Sequence, residues 1–195
     1  MTVSLNESIL ITGTGRCGTT FLVALFTFLG MDTGFTRETL QKNIFDHCKA
    51  GLEKLPGEYK IIKNPILMFT MIEYILRSNQ VPKLVIIPVR SFSESAESRY
   101  KNTEKKGLLD ATFKGEGGLW YANTKEEQIT IYNKFMSEYI QMMTLYDVPT
   151  KFIDFYRMTT NSLYLYESLK DVIDPGVTCE KFEECYREAT TLCAR

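Results

Sequence analysis

The sequence predicts a three-layer α/β/α domain around a mostly parallel central sheet. Short apolar runs at residues 8–12, 59–63, 83–89 and 150–155 read as strands. Stretches of helical length separate them, and strands alternating with helices imply right-handed crossovers and a sheet covered on both faces. At 195 residues the chain fits a single domain, residues 1–195.

Each element follows from its local pattern. "SILIT" (8–12) is a buried strand, and residues 18–29 form a helix starting directly after a glycine loop. "GMDTGFTRETLQKN" is polar and leads into a helix ending near Leu55, punctuated by Pro56-Gly57. "YKIIK" (59–63) is the second strand, stopped by Asn64-Pro65, and residues 66–78 carry helical periodicity. "KLVIIPV" (83–89) is the third strand and residues 91–105 the next helix. Residues 107–123, with glycines at 115, 117 and 118, form a long loop, and such loops serve as lids or binding segments. A helix over 126–147, a strand over 150–155 and two helices broken at Asp174-Pro175-Gly176 complete the chain.

Composition narrows the function classes. With 44% hydrophobic residues and a net charge of −1, no global field draws the chain to nucleic acid or anionic membrane, so an anion site must be local. "MTVSLNESIL" lacks the pattern of a signal peptide, and the apolar run 21–30 is too short for a transmembrane segment. Five cysteines without C-x-x-C spacing suit a reducing, cytoplasmic setting better than a disulfide framework or a zinc site. No clustered His, Asp and Glu set suggests a metal.

In parallel sheets ligands bind at the carboxyl ends of the strands. The loop "GTGRCGTT" (13–20) and Arg90 both fall at that edge. Gly13, Gly15 and Gly18 fit the G-x-G-x-x-G of a dinucleotide turn, but the second strand and acidic residue such a site needs are missing. Gly13 and Gly18 also fit the phosphate loop of nucleotide hydrolases, yet Thr19 stands where that loop has lysine. A Cys-x5-Arg phosphatase loop fails because residue 23 is Val. A plain strand-to-helix turn would not need three glycines and Arg16. An anion cradle fits: backbone N–H groups of Arg16 to Thr20 at a helix N-terminus, threonine hydroxyls and the Arg16 guanidinium.

"GTGRCGTTFL" resembles the 5′-phosphosulfate loop of sulfotransferases that use 3′-phosphoadenosine 5′-phosphosulfate (PAPS), whose fold is related to the phosphate-loop kinases. The resemblance implies that Gly15, Arg16, Cys17, Gly18, Thr19 and Thr20 hold the 5′-phosphosulfate, with Cys17 where serine is usual. It also implies an arginine and a serine eight residues apart on the 3′-phosphate, matched by Arg90 and Ser98 in "VIIPVRSFSESAESRY". Ser91, Ser95 and Ser98 share one helical face, and the plainer reading pairs Arg90 with Glu94 or Glu97. "YKIIKNP" resembles the strand ending in a cofactor-side lysine, Lys63. Arg16 is the candidate catalytic cation, with Lys63 second, and the chemistry implied needs no metal.

Two residues are candidates for the base. His47 is the sole histidine, and Glu38 in "FTRETL" is similar to a glutamate serving as base in protein-tyrosine sulfotransferases. Their plainer readings are a packing or surface histidine and a helix-cap charge. The expected activity is sulfuryl transfer to a hydroxyl or amine of a small-molecule, glycan or lipid acceptor. A phosphate-loop kinase-like enzyme and a non-catalytic nucleotide-binding module are the alternatives.

Overall fold

The four apolar runs become strands because the sheet they form is buried on both faces. In the computed structural model, which describes residues 3–194, a 3-10 turn precedes β1 (Ile9–Ile11) and α1 (Thr19–Phe28). There follow α2 (Arg37–Lys42), β2 (Ile44–Phe45), β3 (Ala50–Gly51), β4 (Ile61–Lys63) and α3 (Leu67–Ser78). β5 (Leu84–Val89), α4 (Phe92–Lys105), α5 (Lys125–Leu145) and β6 (Thr150–Asp154) continue the chain. It ends in α6 (Phe155–Thr160), α7 (Ser162–Leu169) and α8 (Cys179–Cys193).

The main sheet has the order β4-β1-β5-β6, and every pair in it is parallel. Side chains alternate across it, as the two-residue strand period requires. Ile9, Ile11, Ile61, Ile86 and Ile153 pack with α1, α7 and α8, whereas Leu10, Ile62, Val85 and Ile87 pack with α3 and α5. The sheet thus divides the core in two, giving the three layers.

α1 has nine of its ten residues buried, so it runs apolar on all sides between sheet and α8. Burial of each Leu or Phe on it contributes about 1.5–3 kcal/mol. No helix among the described residues is long and apolar enough to cross a membrane.

Two expectations need correction. The helix expected to end near Leu55 stops at Lys42, and a small antiparallel hairpin follows, pairing Ile44 with Gly51 and Phe45 with Ala50. Lys49, at φ 49°, turns that hairpin, and Gly51, at φ 117°, lies where any Cβ would collide with the Asn43 carbonyl. The helix expected after residue 155 is broken at Asn161, whose extended backbone ends α6 and whose side chain accepts from the Tyr164 N–H at 2.9 Å.

α8 closes the core: Phe182 is 1% exposed and meets Tyr166 edge to face at 5.3 Å. Replacing Phe182 by Ala should therefore cost about 3–5 kcal/mol. Urea denaturation should show a lowered midpoint with unchanged slope.

Candidate functional site

β1 ends at Ile11 in the middle of the sheet, with Lys63 opposite it on β4. The chain then leaves the sheet edge as the glycine loop, with positive φ at Gly13, Gly15, Arg16 and Gly18. Only glycine suits two of these places. At Gly15 a Cβ would collide with the Arg99 guanidinium, and at Gly18 it would come within 2.6 Å of Met158 Cε. Arg16 holds φ 59° without being glycine, a conformation costing about 1–3 kcal/mol unless its surroundings fix it. Arg90 Nη1 helps fix it, donating to the Arg16 carbonyl at 3.1 Å.

Gly18 caps α1 in the left-handed conformation and brings no side-chain acceptor. The first-turn N–H groups of α1, Thr19 and Thr20 among them, have no intrahelical acceptor. Thr19 and Thr20 line a cavity of about 600 Å³, within the range typical of small-molecule sites.

The cavity is lined by five cationic side chains, Arg16, Lys49, Lys63, Arg90 and Arg99, against two carboxylates, Glu53 and Glu116. In a chain of net charge −1, that makes the cavity a local positive field. Lys63 is 2% exposed; its ammonium donates to the Gly51 carbonyl at 2.6 Å and to Glu53 Oε1. Burial pulls its pKa below the ordinary lysine value, opposed by the Glu53 charge.

Arg99 was not anticipated from the sequence. It is 2% exposed, donates to the Thr14 carbonyl at 3.4 Å and to the Gly118 carbonyl, and lies 3.6 Å over the Trp120 ring. Among the described residues no carboxylate forms an ion pair with it, and its Nε–H makes no hydrogen bond. The Tyr132 hydroxyl lies nearby, its pKa raised by burial against the pull of the Arg99 charge.

Gly15, Arg16, Gly18, Thr19, Thr20, Lys63 and Arg90 therefore converge on one cavity. Cys17 sits fully buried behind the loop, and burial raises its thiol pKa. Burial also pushes the Cys193 thiol, on the cavity wall, up to about 11. Neither has the lowered pKa of an activated nucleophile.

Ser98 accepts from Arg16 Nε at 3.2 Å, which ties it to the glycine loop. Arg90 Nε donates to Glu94 at 3.3 Å, the plainer pairing. Of the serine face, Ser91 bonds Ser93 at 2.7 Å, and the buried Ser95 hydroxyl makes no hydrogen bond.

Neither expected base lines the cavity. Glu38 is an exposed first-turn charge of α2, and its bond from the Thr36 hydroxyl at 2.6 Å holds its carboxyl below the usual range. His47 is exposed on the β2–β3 turn, its Nε2 3.4 Å from the Glu116 carbonyl oxygen. The carboxylate that does stand beside Lys63 is Glu53, hidden in sequence because the unforeseen hairpin positions it.

No family model matches the chain, and no match emerges among curated proteins or solved structures.

Two predictions follow from this geometry. Gly15→Ala should destabilise the fold by more than about 1 kcal/mol, because it strains φ and displaces Arg99; thermal denaturation measures it. Lys63 gives a pH signature: with its folded pKa lowered, the unfolded chain binds more protons between that value and the ordinary 10.5. Stability of the natural protein relative to Lys63→Met should thus rise with pH across the window below 10.5. Paired melting curves at increasing pH test the sign.

Proposed function

We propose that the protein is a sulfotransferase of phosphate-loop architecture that moves a sulfuryl group from PAPS to an acceptor hydroxyl or amine. The observation that carries this reading is the convergence of Arg16, Lys63, Arg90 and Arg99 on the glycine loop, where Thr19 replaces the nucleotide-hydrolase lysine. The residues fit the donor: loop N–H groups with Thr19 and Thr20 for the 5′-phosphosulfate, and Arg90 for the 3′-phosphate. Bound PAPS would supply an activated sulfuryl group on a phosphate leaving group. Arg16 neutralises charge gathering on the bridging oxygen, and the loop fixes the donor for in-line attack. Cys17 takes no covalent part, since burial keeps it a thiol.

A non-catalytic nucleotide-binding module is the second reading, favoured by the placement of Glu38 and His47 off the cavity wall. Adenosine 3′,5′-bisphosphate should raise the melting temperature where ATP with magnesium does not. Arg90→Ala should shrink that shift. With any accepted substrate, Arg16→Ala should lower kcat by about 100- to 1,000-fold, as for loss of one oxyanion donor. Equal stabilisation by ATP–magnesium would favour the kinase-like alternative. Binding of the bisphosphate without sulfation of any hydroxyl or amine in a broad panel would favour the module.

A further inference from the structure

We infer that Glu53 is the proton acceptor of this site and that the substrate it serves is a hydroxyl on an apolar molecule. The inference rests on the donor reading above and adds the acceptor's chemical class and the base.

Two independent observations carry it. The first is the apolar part of the cavity wall. Beside its charged residues, Phe45, Ile66 and Phe113 line it while staying 44%, 51% and 72% exposed. Single exposed apolar side chains are ordinary. Three on one cavity, joined by Pro65 and Trp120, form an apolar surface suited to an apolar ligand.

The second is the placement of acid groups. Of the two carboxylates on the wall, Glu116 is drawn to Lys106 Nζ at 2.9 Å. Glu53 is oriented by Lys63, which donates to Oε1; among the described residues no hydrogen bond or ion pair reaches Oε2. Lys63 in turn stands opposite Ile11, the last residue of β1, and close enough to Arg16 to feel its charge. The carboxylate thus lines the same cavity as Arg16, half exposed and paired to the buried Lys63.

The step balances without a further reactant beyond the phosphosulfate donor. The acceptor oxygen forms a bond to sulfur as the bond from sulfur to the bridging phosphate oxygen breaks. The electron pair of that bond stays on the phosphate oxygen, beside Arg16. The acceptor's proton passes to Glu53 Oε2. Lys63 holds the carboxylate in place and steadies the charge between the two ends of the reaction.

The test uses the full chain, PAPS and three acceptors: 2-naphthol, glucose, and 4-nitrophenol at mildly alkaline pH, where it is already ionised. The natural protein should turn over 2-naphthol at least about 10-fold better in kcat/KM than glucose, as apolar burial discriminates. Glu53→Gln should lower kcat on 2-naphthol by about 100-fold or more, the usual worth of a positioned base. It should leave 4-nitrophenol, which needs no proton removed, within about 3-fold, and leave the thermal shift with adenosine 3′,5′-bisphosphate intact. Should Glu53→Gln fail to fold, Glu53→Asp takes its place, with a smaller loss confined to 2-naphthol. Unchanged turnover of 2-naphthol in the variant, an equal loss on both phenols, a preference for glucose, or sulfation of none of the three overturns the inference. Absence of a bisphosphate shift in the natural protein overturns the donor reading instead.

Discussion

Arg99 reaches from the middle of α4 to carbonyls on two separate segments, Thr14 on the glycine loop and Gly118 on the stretch over 107–123, with its plane across Trp120. Removing a guanidinium from water costs several kcal/mol even after relaxation. Carbonyl dipoles and a ring face offset part of that, and no ion-paired carboxylate completes the compensation among the described residues. Much of the site's form follows. Gly15 must lack a side chain because the guanidinium occupies its Cβ position. The loop is fixed from beneath, and the cavity above it acquires a charge that an anion can complement.

The other cations have different partners. Lys63 and Arg90 each hold a carboxylate, Glu53 and Glu94. Arg90 also clamps the strained Arg16 backbone through its carbonyl, so the residue assigned to the 3′-phosphate also shapes the cradle for the 5′ end. The two ends of the proposed donor are therefore mechanically joined through one side chain. That join helps hold residue 16 in the left-handed conformation at the loop's centre, where glycine would be easier to accommodate.

The four main strands and α1 were legible in sequence because burial on both sides demands continuous apolar residues, and Ile9, Leu10 and Ile11 leave no other place for them. The hairpin of β2 and β3 was not, since two-residue strands carry no periodicity and their signal reduces to Lys49 and Gly51 in the left-handed region. Missing that hairpin also hid Glu53. The break at Asn161 left only an Asn with a capping side chain as its trace. In the site, the glycine loop, Lys63 and Arg90 were readable because strand ends in a parallel sheet share one edge. Arg99 was not: on a polar helix, next to Ser98, it looks like one more solvated charge until the packing of α4 against α5 turns it inward.

The glycine-containing stretch over 107–123 suggested a lid, but its last part is built as a wall. Asn102 donates to the Gly117 carbonyl at 3.1 Å and Arg99 to that of Gly118. The Leu119 N–H donates to Thr103 at 2.9 Å, and the Trp120 N–H donates to Gln128 at 2.6 Å. Four consecutive residues are thus fastened by side chains of α4 and α5, in addition to the Arg99–Trp120 stack. Opening here would strand buried polar groups, each worth about 1–3 kcal/mol. Phe113, earlier in the same stretch, is 72% exposed and lines the cavity as well. Under the proposed function, the fastened stretch from Gly117 to Trp120 gives donor and acceptor a wall that is fixed before either binds.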